Sequence, residues 1–189
     1  MEKSINDIIR ERRSIYPKEY NGQLLDPVVI DTLLQNANFA PNHKGNYPWR
    51  FVVIGDGLAD WLNEAARIYE LEAAEKFSAE KKDKILAYAQ QVSHAIAIVM
   101  KHEPEDRTIF MEDVCAVAAG VQNMYLSLSQ FEHAAGYWST GLGTYSPHMH
   151  MYLGLESSET LLGFFILGSV DVKRTAGNRK DYKQFIRTL

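Results

Sequence analysis

Arg12, Arg13 and Ser14 are consecutive. Two guanidinium forks beside a hydroxyl match the oxygens of a phosphate, which accept bidentate, charge-assisted hydrogen bonds. The same pair also suits a solvated helix end. Residues 39–49, FAPNHKGNYPW, gather His43, Lys44, two amides and three aromatics into one proline-punctuated stretch. Loops of this kind on a rigid scaffold carry function disproportionately, although Trp49 also suits simple packing. In GYWSTGLG, residues 136–143, an aromatic strand end runs into small residues, so backbone N–H groups there can approach a flat ligand closely.

Other chemistries find less support. Glycines stand at 141 and 143, but Ser146 occupies the third place of a dinucleotide fingerprint. His148 and His150 lack a third ligand at metal spacing, and surface or capping roles suit them better. Cys115 adjoins Val114 on an apolar helix and reads as a small core residue. The sequence contains no G-x-S-x-G, H-E-x-x-H or P-loop, which removes the commonest hydrolase and nucleotide-phosphate signals.

The elements that must position these residues are marked by local signals. Ser4-x-x-Asp7 resembles a capping box, and Ile5, Ile8 and Ile9 follow at helical spacing, so a short helix carries the chain to Arg12-Arg13 and ends before Pro17. Asp26 and Pro27 open a second helix with Ile30, Leu33, Leu34 and Ala37 on one face. The apolar runs at 51–54 and 95–100 read as central strands. About forty residues rich in Ala, Glu and Lys lie between them, and a break near Ser78 divides these into two helices. From 111 to 131 a 3.6-residue period through Val114, Val117, Ala118, Val121, Tyr125 and Leu128 marks the central helix. Its small residues Ala116, Ala119 and Gly120 permit close approach. Residues 136–138 and 161–167 complete four strands.

The chain has 189 residues, 46% of them hydrophobic, without repeat or linker, so a single domain over 1–189 is expected. Its net charge of −4 argues against a nucleic-acid partner, and no apolar run is long enough for a membrane span. A lone cysteine and the absence of an apolar leader behind the first residues favour the cytoplasm. The C-terminal stretch 171–189 is the exception to the acidic balance: Lys173, Arg174, Arg179, Lys180, Lys183 and Arg187 face only two aspartates.

Taken in order, RRS at 12–14, APNHK at 40–44 followed by PWRFVVI at 48–54, GYWSTG at 136–141 and GFFILG at 163–168 resemble the FMN-dependent nitroreductase family, above all its short members. The resemblance runs from about residue 8 to about residue 174. It implies an α+β fold with a central mixed β-sheet flanked by helices. It also implies a homodimer with FMN at the subunit interface and a basic tail, 170–189, packing on the partner subunit. The implied reaction takes hydride from NADH or NADPH through FMN to a nitroaromatic, a quinone or a similar small acceptor. A flavin reductase, dehalogenase or dehydrogenase on the same scaffold, or a non-catalytic FMN-binding module, stays open.

FMN carries its own electron chemistry, so no catalytic side chain is required. By the same resemblance Arg12, Arg13 and Ser14 would hold the FMN phosphate, ribityl chain and pyrimidine edge. His43 would approach FMN from the partner chain, Trp138, Ser139 and Thr140 would lie beside the flavin, and Arg174 would add a cation to the phosphate. A backbone donor from 138–141 would face the flavin ring. Tyr16, Phe39 and Ser139 stand where family members often carry basic residues, so the site holds fewer cations at those places.

Overall fold

Ser4 opens the first helix, as its spacing to Asp7 predicts. In the computed structural model the Ser4 side chain accepts the Asp7 N–H while the Asp7 carboxylate reaches back to Ser4, the reciprocal bonding of a capping box. The structure describes residues 3–103, 105, 108–172 and 177–189. The first helix, α1, is Ile5–Glu11, and none of its residues is buried. Helix α2, Pro27–Ala37, begins at Asp26, whose carboxylate accepts the Val28 N–H, and it buries Val29, Ile30, Leu33 and Ala37.

Strand β1, Trp49–Ile54, leads into helix α3, Leu58–Ala73, and helix α4, Ala79–Ala87. Ser78 caps α4, so the break expected there is a helix start. Strand β2, His94–Lys101, precedes the long helix α5, Phe110–Ser127. Strand β3, Ala134–Ser139, helix α6, Pro147–Tyr152, and strand β4, Glu159–Ser169, follow.

The strands form one sheet in the order β1-β2-β4-β3, and all three pairings are antiparallel. The expected mixed sheet is therefore corrected: among the described residues no parallel pair occurs. A second correction concerns β1, which lies at an edge although its apolar run suggested a central strand. Val53 is accordingly 45% exposed. The two central strands, β2 and β4, are the ones almost continuously buried.

Alternation along β2 divides the core into two layers. Ile96, Ile98 and Met100 face α2 and α5, whereas Ala95, Ala97 and Val99 belong to the layer with α3 and α6. In that second layer the fully buried Trp61 meets Phe164 with ring centroids 4.8 Å apart. Between α2 and α5 the approach closes on Gly120, where a Cβ would stand 3.2 Å from the Ala37 carbonyl oxygen. Cys115 departs from expectation. It is exposed, on the side of α5 turned away from the sheet. Among the described residues no helix is long and apolar enough to cross a membrane.

Candidate functional site

Strand β3 is an edge strand, so one side of its backbone would lack partners if nothing covered it. The segment after α1 supplies that cover. The Ile15 N–H donates to the Gly136 carbonyl at 3.1 Å. Two residues along the strand, the Trp138 N–H donates to the Tyr125 hydroxyl at 2.7 Å. The same hydroxyl lies 3.1 Å from Ser14 Oγ, and the Arg12 guanidinium sits 4.7 Å above the Tyr125 ring. Thus Arg12, Ser14 and Trp138, separated by more than 120 residues of sequence, meet around one aromatic side chain.

Arg13 turns the other way. Its Nη1 donates to the carbonyls of Arg10 and Arg12 at 2.6 Å each, filling acceptors left open at the end of α1. A Cβ on Gly177 would fall 2.6 Å from Arg13 Nε, so the C-terminal segment passes directly against this guanidinium. Arg174 lies outside the described residues. The basic tail nevertheless reaches the arginine pair at Gly177.

Trp138 is fixed from a second side by the neighbouring strand. The β2–β4 register slips between Ile98 and Val99, which pair with Gly163 and Leu161 and leave Leu162 as the extra residue of a bulge. The Leu162 carbonyl accepts the Trp138 indole N–H at 3.1 Å. Ser139 Oγ accepts the Gly141 N–H at 3.1 Å, and Thr140 is exposed. Two amides of the stretch expected to face a ligand, those of Trp138 and Gly141, are thus engaged within the chain.

His43 belongs to a different place. Its Nδ1 is 2.9 Å from Glu112 Oε2, in the first turn of α5, and this bond, with the Ile109 N–H, holds the Glu112 carboxyl below its usual range. Tyr125 is thirteen residues further along the same helix, about 20 Å at 1.5 Å per residue. Within one chain, then, the structure brings Arg12, Ser14 and Trp138 together and holds His43 apart from them.

The loop around His43 is tightly determined. Lys44, Gly45 and Tyr47 all have positive φ. Asn42 Oδ1 accepts the Tyr47 N–H, and the Trp49 indole donates to Asn38 at 3.0 Å, so Trp49 packs. Beneath the loop the buried Asp113 accepts from Asn46 at 2.8 Å, from His102 Nδ1 at 2.6 Å and from Thr108 at 3.1 Å. Burial pushes the Asp113 carboxyl up, but the bonds from Asn46, His102 and Thr108 outweigh it and hold the group below the usual carboxylate range. A lowered folded-state value means stability that is present above the unfolded value and lost as pH falls through the folded one. Between neutral pH and about pH 3, wild-type protein is therefore expected to lose more stability than Asp113→Asn, with thermal melts at each pH as the measurement.

Two cavities lie near the candidate residues, one against β3 and one against the loop that follows it. One, of about 80 Å³, lies beside Arg12, Arg13, Tyr125 and Gly136. That is well below the roughly 300 Å³ at which pockets for cofactor-sized ligands begin, so one chain supplies a wall and not an enclosure. The other, about 400 Å³, borders Gly141–Gly143 and is lined by Tyr69, Glu72, Lys76 and Lys81. The two lysines bring positive charge near a stretch where the sequence showed few cations. Tyr16, half exposed, packs at a 40° tilt against Tyr137 with ring centroids 4.6 Å apart, and Phe39 is 84% exposed. His148 and His150 lie on α6, and among the described residues no group of three potential metal ligands exists.

A sequence profile described as Nitroreductase family matches residues 9–169, which runs from the last residues of α1 through β4 and takes in all the residues around Tyr125. The chain belongs to the Nitroreductase family. Among its relatives is the protein named "Putative NAD(P)H nitroreductase YfhC" from Bacillus subtilis (strain 168), 27% identical over 170 residues, covering 88% of this chain and 84% of that one. A protein of the same description, YdjA from Escherichia coli (strain K12), is 26% identical over 172 residues, covering 87% and 91%. The fold matches the nitroreductase-like family protein from Bacillus cereus with a TM-score of 0.80 at 23% identity, over 100% of this chain and 97% of that one. It also matches a nitroreductase with bound FMN from Bacteroides fragilis, TM-score 0.72 at 16% identity, over the whole of both chains.

Tyr125 is the residue of this junction that sequence reasoning missed. Its helical period announced burial but gave no sign of its hydroxyl contacts.

Proposed function

We propose that this family member is an FMN-dependent NAD(P)H oxidoreductase that passes hydride to a nitroaromatic, a quinone or a similar small acceptor, and that it works as a homodimer. The observation that carries the reading is the meeting of Arg12, Ser14 and Trp138 around Tyr125 at the outer edge of β3. Fully cationic guanidinium beside an exposed hydroxyl and an aromatic strand end is a donor set suited to a ribityl phosphate attached to a flat ring system. The names of the relatives and the FMN bound in a structural neighbour agree with it.

When bound, FMN would supply the two-electron chemistry. The chain's residues bind and orient it. Arg12, with Arg13 and Arg174, would neutralise the phosphate, and Ser14 would donate a hydrogen bond. Trp138, Ser139 and Thr140 would border the ring, with Lys76 and Lys81 adding charge from across the 141–143 stretch. His43 is held at Glu112 and Arg12 at Tyr125, positions about 20 Å apart along α5, which supports assembly of each site from two chains, His43 coming from the partner subunit. Exposed Ile5, Ile9, Phe110 and Met111, with Tyr182, Phe185 and Ile186 of the tail, offer apolar surface for such a dimer.

The test is the visible spectrum of the purified protein, followed by anaerobic addition of NADH or NADPH. A flavin spectrum that bleaches with saturating kinetics, in a particle of twice the chain mass by light scattering, is expected. A colourless protein that ignores added FMN overturns the reading.

A further inference from the structure

The Tyr125 hydroxyl has one proton and two neighbours. It accepts the Trp138 backbone N–H at 2.7 Å, and Ser14 Oγ lies 3.1 Å away, a bond in which either hydroxyl can be the donor. With Tyr125 as the donor, Ser14 Oγ is the acceptor and the serine proton is left for another partner. Ser14 is exposed, so a ligand outside the chain can reach its hydroxyl. The ring that carries the hydroxyl is held on both sides: the Arg12 guanidinium lies 4.7 Å from its centroid, and the buried Phe165 meets it edge-on at 4.7 Å. Tyr125 is 8% exposed and sits on a helix packed against the sheet, so its hydroxyl is placed by the core and not by the loop it contacts.

We propose that Tyr125 is a positioning residue for the cofactor: its hydroxyl, anchored by the Trp138 amide, donates to Ser14 and thereby fixes Ser14 as a hydrogen-bond donor toward an oxygen or ring nitrogen acceptor of FMN. This rests on the FMN reading above. It adds a direction to the chain of bonds, from the Trp138 amide through Tyr125 and Ser14 to the ligand. It also links the strand end beside the flavin with the segment that holds the other end of the molecule.

The test measures FMN dissociation constants by flavin fluorescence for wild type, Arg12→Ala, Ser14→Ala, Ser14→Thr, Tyr125→Phe and the Ser14→Ala/Tyr125→Phe double variant. Phenylalanine keeps the ring between Arg12 and Phe165 and removes only the hydroxyl. Ser14→Ala and Tyr125→Phe are each expected to weaken FMN binding about 3- to 10-fold, the range of one neutral hydrogen bond. The double variant should be weakened no further than about twofold beyond either single one, because the two residues act through one bond. Ser14→Thr, which retains the hydroxyl, should stay within about threefold of wild type.

Two results would overturn the inference while leaving the FMN reading in place. One is Tyr125→Phe binding FMN as wild type does while Arg12→Ala is weakened. The other is full multiplication of the two single effects in the double variant. Wild-type protein that fails to bind FMN at all would remove the underlying reading, and the inference with it. Ser14, being exposed, tests the same bond from a position whose substitution spares the core.

Discussion

Arg12→Ala is expected to raise the FMN dissociation constant about 10- to 100-fold, the loss that follows from removing a charged hydrogen-bonding partner. The fold should tolerate the change. Arg12 is partly exposed, and its described side-chain contact is the guanidinium over the Tyr125 ring, worth about 0.5–1 kcal/mol where it is solvated. For a chain of this length that corresponds to a melting-temperature drop of only a few degrees, at about 2–4 °C per kcal/mol. The predicted separation between ligand affinity and stability is what distinguishes a binding arginine from a structural one. Arg12→Lys should recover the charge but not the fork, and its affinity should fall between the two. Flavin fluorescence titration, with thermal melts of the same samples, measures both quantities. An Arg12→Ala protein that binds FMN with wild-type affinity would remove the phosphate role.

The local signals of this sequence were clear, and those that failed did so for physical reasons. Ser4, Asp26 and Ser78 announced helix starts because a cap is satisfied within three residues of chain. The strands at 51–54, 95–100 and 161–167 were legible as apolar runs. Their order was not, since a run of Val and Ile is equally compatible with an edge and a centre, and β1 proved to be an edge. Nor did the sequence distinguish a mixed from an antiparallel sheet, because strand direction depends on which partners pair. Adjacency to Val114 does not set the side on which Cys115 lies: neighbouring helical residues point about 100° apart, and the buried row of α5 runs through Ala116, Val117, Gly120, Val121 and Met124.

The site divides in the same way. The residue types at 12–14 and 136–140 pointed to ligand chemistry. Their junction at Tyr125 depends on a contact spanning 111 residues, between Ser14 and α5, which no local pattern encodes. The burial of Asp113 is similar: an aspartate in the first turn of a helix suits solvent, and its three donors come from separate stretches of chain.

Gly163→Ala is expected to destabilise the protein by roughly 2–4 kcal/mol, combining backbone strain with overpacking. Gly163 has φ +130°, a conformation that L side chains rarely adopt, and it lies in β4 beside the extra residue of the bulge. A Cβ there would stand 2.5 Å from the Ser139 carbonyl oxygen and 2.6 Å from Trp138 Nε1. The first contact is with backbone and cannot be relieved by a rotamer change. Relief of the second displaces the indole from the Leu162 carbonyl. The melting temperature should therefore fall by about 5–15 °C, and Trp138 should change its near-ultraviolet signal. FMN affinity should fall as well, since Trp138 and Ser139 form one wall of the proposed site. Gly154→Ala separates the causes. Gly154 also has positive φ, +66°, but nothing lies within 4 Å of its added Cβ, so only conformational strain of about 1 kcal/mol is expected there. If the two alanine variants lose equal stability and Gly163→Ala binds FMN normally, close packing of β4 against Trp138 does not hold that wall in place. A much larger loss at 163, accompanied by weakened flavin binding, shows that the bulge in the central sheet sets the position of the strand end that borders the cofactor.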